Sequence, residues 1–283
     1  MRRVRIGQGS ALVWDRAGTD APWLHFGHAT GMHAQLYAAL LDPLAKHFNI
    51  MASDARGHGE NRRAAEGPEA MAWDQLAGET LALMDYIQKD RPWWLVGHSL
   101  GATCALIAAV TAPYRVAGLV MLDPPFIPFA LAREMRAKGE MPQNPLADQS
   151  RRRRADFASR EEAMASYVGR GVFRQFSDED LQAYVQGGFR EVKGGVRLAC
   201  LPEAEALCFE GVRLDVEDLL GALARPFVLL AGETGSTVPE EDFAAFAGHP
   251  LCERAERLPG TGHFLPLQAP AAVRAAILAL CKG

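Results

Sequence analysis

Between an apolar run, WWLVG (93–97), and a helix-forming stretch, LGATCALIAAV (100–110), the chain carries Gly97, His98, Ser99, Leu100 and Gly101 in succession. A serine flanked at two removes by glycines at a strand-to-helix junction is a nucleophile elbow. The turn is so tight that glycine is needed on both sides, and Ser99 is presented in a strained conformation at the carboxyl edge of a sheet. The junction also puts Ser99 at a helix N-terminus, where free N–H groups and the helix dipole favour negative charge. The Leu100 N–H is therefore an expected oxyanion donor. A serine hydroxyl is a weak nucleophile at neutral pH and needs a general base. The segment LPGTGHFLPLQAP (258–270) offers His263, in a loop between a weak strand and the last helix. Nucleophile before histidine is also the chain order this chemistry takes on such a sheet. His98, inside the elbow, is read as pointing away from Ser99 and packing. Acyl transfer to water is the reaction these residues predict.

The elements that must position them are legible as short apolar runs alternating with helical stretches, the signature of a mostly parallel sheet with crossover helices. Strands are predicted at 10–14, 22–26, 48–53, 93–97, 118–122, 226–230 and, more weakly, 253–258. Helices are predicted near 34–46, 73–89, 100–112, 240–247 and 271–281. The alternation stops after Leu122 and resumes near Pro226. The expected organisation is one α/β core, residues 1–123 and 225–283, interrupted by residues 124–224. That insertion reads as helical and charged, with a Pro-rich entrance (DPPFIP), glycine pairs at 187–188 and 194–195, and four consecutive arginines, Arg151, Arg152, Arg153 and Arg154. The arginine run is read as a solvated helix face rather than an anion site.

Composition narrows the function classes. Of 283 residues, 49% are hydrophobic and 23% charged, enough for a sizeable core and unlike a disordered chain. Thirty basic against 34 acidic residues leave a net charge of −4, which excludes a globally basic nucleic-acid binder. No apolar stretch is long enough to span a bilayer, and the basic start has no apolar segment behind it, so a cytoplasmic protein without a membrane partner is expected. Five scattered cysteines form no CxxC and no zinc pattern, so reduced thiols are expected. His25, His28 and His33 lie close in sequence, but their spacing suits neither a helix face nor a strand face, and no metal is assigned to them.

Four segments in order, HATG (28–31), SDARGHG (53–59), GHSLG (97–101) and PGTGHF (259–264), make the chain resemble the α/β-hydrolase superfamily over nearly its whole length. The resemblance implies an α/β-hydrolase fold whose insertion is a mobile helical cap over the active site. It implies a second oxyanion donor in the HATG loop, the N–H of Thr30 with Ala29 as the alternative, although Ala29 stands where glycine is commonest. Asp54 and Arg56 would hold loop architecture. The acid that orients the histidine usually follows the strand read here at 226–230, in a pattern like Gly-x-x-Asp, but Gly235 occupies that place. Two candidates remain. Asp123 closes the strand GLVMLD, a position some branches of the superfamily use, and is preferred. Glu233 is the alternative.

The resulting expectation is a serine hydrolase of a small carboxylic ester or lactone, with Ser99, His263 and Asp123 as triad and no cofactor. Phe126 and Phe264 are candidate substrate contacts by adjacency to Asp123 and His263. Serine at the elbow argues against the carboxylate-nucleophile chemistry of dehalogenases and epoxide hydrolases. Two rival readings share the scaffold: hydrolysis of a carbon–carbon bond in ring-cleavage products, and a receptor that binds a small ligand without turnover.

Overall fold

A computed structural model describes residues 1–281. Its strands, in chain order, are β1 (Arg2–Ile6), β2 (Gly9–Trp14), β3 (Trp23–Gly27), β4 (Asn49–Asp54), β5 (Trp93–His98), β6 (Val116–Leu122), β7 (Asp156–Phe157), β8 (Phe189–Val192), β9 (Gly195–Leu198), β10 (Phe227–Gly232) and β11 (Cys252–Leu258). Eight of them form one sheet in the order β1-β2-β4-β3-β5-β6-β10-β11. The pairs β1/β2 and β2/β4 are antiparallel, and the ladders from β4 through β11 are parallel. This is an α/β-hydrolase fold, with the carboxyl ends of β3, β4, β5, β6 and β10 on one edge.

Alternation along the strands assigns side chains to two cores. Met51, Leu95, Met121 and Leu229 enter one, while Ile50, Ala52, Val96, Val120 and Leu230 enter the other. Because helices cover both faces, β2, β4 and β10 are buried at every residue, and β10 (FVLLAG) reads as a continuous apolar run. Fully burying one such leucine or isoleucine contributes about 1.5–3 kcal/mol. The helix Leu100–Thr111 is apolar nearly all round for the same reason: it lies between the sheet and other elements.

Three features differ from the sequence expectation. Strand β1 is not predicted, because RRVRI looks like a basic start. In the structure its arginines reach across the edge to Asp15, Asp54 and Glu60. The helix expected at 34–46 is a succession of Ala34–Tyr37, Ala38–Leu41 and Asp42–Lys46, the outer two 3-10 and the last containing Pro43. The inserted segment 124–224 is not purely helical, since β7, β9 and β8 form a small antiparallel sheet. Of the pair Gly194 and Gly195, expected as a break, Gly194 forms the two-residue β8–β9 hairpin turn with Lys193, and Gly195 opens β9. No helix among the described residues is long and apolar enough to cross a membrane.

The elbow depends on contact between backbones. A Cβ on Gly97 would lie 2.2 Å from the Gly101 carbonyl, and one on Gly101 would lie 2.2 Å from the Gly27 oxygen. Neither obstacle is a side chain that could move aside. Gly101→Ala is expected to destabilise the protein by about 3 kcal/mol or more, read as a lower urea midpoint or lost soluble yield. An unchanged midpoint would refute this account of the elbow.

Candidate active site

Ser99 follows the last residue of β5 and precedes the helix Leu100–Thr111, at φ 53° and ψ −123°. This left-handed conformation is strained for serine, by roughly 1–3 kcal/mol, and is held by bonds on both sides. The Ser99 N–H donates to the Leu122 carbonyl at 2.9 Å, and the Ser99 carbonyl accepts from Ala102 at 2.8 Å. The N–H groups of Leu100, Thr30 and Ala29 donate to no other described residue. Thr30, Ala29 and Ser99 line a common cavity, and Leu100 follows Ser99 directly. The choice between Thr30 and Ala29 as second donor thus stays open geometrically.

Asp123 directly follows the last residue of β6, also at positive φ (49°), which aspartate tolerates better than most residues. Its fully buried carboxylate is enclosed by donors. Oδ1 accepts from the Gly232 N–H at 2.9 Å and the Ser236 hydroxyl at 2.5 Å. Oδ2 accepts from the Thr237 N–H at 2.9 Å, the Thr237 hydroxyl at 3.1 Å and His263 Nδ1 at 2.6 Å. Burial alone would raise its pKa; the bond from His263, reinforced by Ser236 and Thr237, overrides this and holds the carboxyl below the usual aspartate range. Facing a carboxylate, Nδ1 is the donor, which in a neutral ring leaves the lone pair on Nε2. His263 and Ser99 both line the same cavity of about 220 Å³.

The structure brings Asp123, not Glu233, to His263. Glu233 is exposed and accepts from the Gly260 N–H at 2.8 Å, bracing the turn before the histidine. The loop that the resemblance points to for the acid has a different part here: its Ser236 and Thr237 are donors to the Asp123 carboxylate. Sequence reasoning missed both, because a hydroxyl pair in a turn carries no motif. His98, expected to pack, does not line the Ser99 cavity and instead tethers the backbone of His263. Its Nδ1 accepts from the Tyr37 hydroxyl at 2.7 Å and its Nε2 donates to the His263 carbonyl at 2.8 Å.

Phe264 lines the cavity, whereas Phe126 does not. Phe126 is turned into the core against Phe129 and Phe246, with ring centroids 5.2 and 5.4 Å away. Pro125 takes its place at the cavity wall. The other walls come from Trp73 and from Leu146, Val172, Phe209 and Val212 of the inserted segment. Adjacency in sequence failed as a guide to these contacts because they arrive from several separate elements.

Two imidazoles clip the HATG and SDARGHG loops together. His28 Nδ1 donates to the Ala29 carbonyl and its Nε2 accepts from the Ala55 N–H at 2.9 Å. Reciprocally, His58 Nδ1 donates to the Arg56 carbonyl and its Nε2 accepts from the Gly31 N–H at 3.0 Å. Both bonds require neutral rings. Burial supplies that, pushing His28 down to about 4 and His58 to about 3. Asp54 accepts from Arg3 and the Ala34 N–H, and Arg56 pairs with Glu79; neither lines the Ser99 cavity. His25 bonds Ser53 and His33 bonds Tyr184, so the three neighbouring histidines have separate protein partners. No group of three or more metal-ligating side chains is gathered among the described residues, and the five thiols are free.

A model of the family described as alpha/beta hydrolase fold matches residues 22–270. The chain is 26% identical over 241 residues to 2-(acetamidomethylene)succinate hydrolase of Mesorhizobium japonicum, covering 84% of this chain and 79% of that protein. It is 27% identical over 271 residues to pimeloyl-[acyl-carrier protein] methyl ester esterase of Xanthomonas oryzae pv. oryzae, covering 91% and 89%. Among solved structures, that of E-2-(acetamidomethylene)succinate hydrolase superposes with a TM-score of 0.80 at 22% identity, covering 100% of this chain and 98% of that one. An esterase of Mycobacterium tuberculosis superposes at 0.77 and 20%, covering 100% and 91%. At these identities the structural likeness concerns the fold.

The buried neutral histidines set a pH dependence. His25 and His98 are pushed down to about 3, also by burial. An unfolded chain would take up protons on these four rings below about pH 6.5, while the folded chain refuses them until about pH 4 or lower. Stability is therefore complete above pH 6.5 and is lost as pH falls, by up to about 1.4 kcal/mol per pH unit for each ring. Urea midpoints at pH 7.5 and 5.0 check this: the lower pH should give the clearly lower midpoint, and equal midpoints would contradict it.

Proposed function

The chain belongs to the α/β-hydrolase family, and from that premise we propose that it hydrolyses a carboxylic ester or lactone of a small molecule through an acyl-enzyme on Ser99. The observation that carries this reading is the Asp123–His263 bond of 2.6 Å beside a strained serine in a common, largely apolar cavity. With Asp123 fixing the Nδ1–H tautomer, His263 Nε2 accepts the Ser99 proton as Oγ attacks the carbonyl carbon. The tetrahedral oxyanion is held by the Leu100 N–H and by Thr30 or Ala29, each such donor being worth about 10²–10³ in rate. Protonated His263 then gives its proton to the leaving alcohol. Water, deprotonated by the same nitrogen, attacks the acyl-enzyme and returns Ser99.

The inserted segment 124–224 acts as a cap in this reading, since it supplies much of the apolar wall that keeps bulk water from the acyl-enzyme. The relatives support hydrolysis while differing in substrate, one named for an acetamidomethylene succinate and another for a methyl ester. Substrate choice accordingly belongs to the cap residues, and no cofactor is required for the steps above.

Ser99→Ala should abolish turnover of p-nitrophenyl acetate while circular dichroism reports an intact fold. Retained turnover would sink the assignment. A single slow acylation of the wild type would favour the receptor reading, and inertness to esters beside cleavage of a vinylogous diketone would favour carbon–carbon hydrolysis. Asp123→Asn should lower kcat by about 10⁴, as loss of the orienting acid does in serine proteases. Glu233→Gln should change it by less than about threefold; the opposite ranking would transfer the acid role to Glu233.

A further inference from the structure

The wall of the Ser99 cavity contains one ionisable side chain besides His263. Glu205, on the helix Pro202–Glu210, has a side chain only 8% exposed. Its Oε2 accepts from Arg153 Nη1, whereas Oε1 has no hydrogen-bond partner among the described residues. The residue lines both the 220 Å³ cavity and an adjoining one of about 240 Å³. A Cβ built on Gly31 would lie 2.6 Å from Oε1, and Gly31 has φ +74°. The carboxylate therefore rests against the HATG backbone, one residue from Thr30. Any side chain at Gly31 would collide with it.

An ion pair can staple two segments by committing both carboxylate oxygens to its cation. The same two segments already have such a staple on their exposed side, where Arg151 bonds both Glu203 oxygens and Glu210. Glu205 is different. One oxygen is spent on Arg153 and the other is left toward a cavity whose remaining walls are mostly methyls and rings. Arg153 offers the cavity little in return, because Nη1 is held by Glu205 and Nη2 by the hydroxyls of Tyr184 and Tyr167 at 3.0 and 3.4 Å. The pair is charge-balanced, and what it presents to a ligand is an acceptor.

We propose that Glu205 Oε1 is a specificity-determining acceptor that selects substrates carrying a neutral hydroxyl or N–H donor within a few bonds of the scissile carbonyl. Its neighbourhood to Ser99 as a reacting group rests on the hydrolase reading above, but the binding preference does not. A carboxylate on the substrate at this place meets Glu205 and is disfavoured. A donor there replaces the water it leaves with a charge-assisted hydrogen bond, which corresponds to about tenfold or more in affinity.

The test compares methyl butyrate with two esters that add a hydroxyl on either side of the carbonyl, methyl 3-hydroxybutyrate and 2-hydroxyethyl butyrate. In the wild type, kcat/KM should favour one hydroxylated ester by about tenfold, mainly through KM. Glu205→Gln, which keeps an oxygen for Arg153 but turns a donor toward the cavity, should bring that ratio within about twofold of unity. Equal kcat/KM for all three esters, or a preference that survives Glu205→Gln, would overturn the assignment. Calorimetric binding of the same esters to the Ser99→Ala protein needs neither turnover nor a Glu205 variant and should show the same tenfold preference, while equal affinities refute it. Failure of the wild type to cleave any of the esters, with the binding preference intact, would sink the hydrolytic reading and leave the role of Glu205 standing.

Discussion

Backbone lies directly on backbone where β3, β5 and the helix Leu100–Thr111 meet, because Gly27, Gly97 and Gly101 have no Cβ to separate them. That contact lets the chain reverse from strand to helix within one residue. Ser99 consequently takes a left-handed conformation that serine on its own would avoid. The strain is distributed into bonds with neighbours: Ser99 N–H to Leu122, and Gly101 N–H to the His28 carbonyl at 3.2 Å. Each of these partners lies next to another part of the site. Leu122 precedes Asp123, and His28 opens the HATG loop, so the elbow also spaces Asp123 and that loop.

Around the elbow, several buried polar side chains are enclosed by partners. Asp123 accepts from four groups across the edge of β10 and from His263 beyond it. His28 and His58 clip two loops through nitrogens that stay unprotonated because they are buried. The low-dielectric surroundings that make these bonds strong also make any unpaired group expensive. Glu205 Oε1 has no such partner among the described residues, and it lies at the cavity wall, where a ligand can supply what the protein does not.

The inserted segment uses charge differently along its length. The helix Pro145–Arg151 runs into the arginine run at its C-terminal end, where cations are favoured. Arg151 and Arg154 pair with carboxylates at the surface, and Arg152 is exposed with no ion pair among the described residues. Arg153 instead turns inward between Tyr167 and Tyr184. Burial opposes its charge, and Tyr184, Glu205 and Tyr167 around it more than offset that, keeping the guanidinium protonated. A solvated-face reading therefore describes the run except at the one position that reaches the cavities.

Local chemistry was enough to read much of this protein. Glycine spacing at 97–101 dictates the elbow, apolar runs at β3 through β6 and at β10 dictate a buried parallel sheet, and the strand-end position of Asp123 made it the preferred acid. These features are legible because each depends on residues a few positions apart and on backbone sterics that act anywhere. Strand β1 escaped notice since its arginines are stabilised by Asp15, Asp54 and Glu60, partners a sequence does not place. Phe126 was misjudged for a related reason: adjacency to Asp123 says nothing about which way a ring turns, and Phe129 and Phe246 draw it into the core. Ser236 and Thr237 beside Asp123, Glu205 against Gly31, and Arg153 behind Glu205 all join residues far apart in the chain. Such meetings follow from how the insertion and the loops fold over the sheet edge, so only the tertiary structure could decide them.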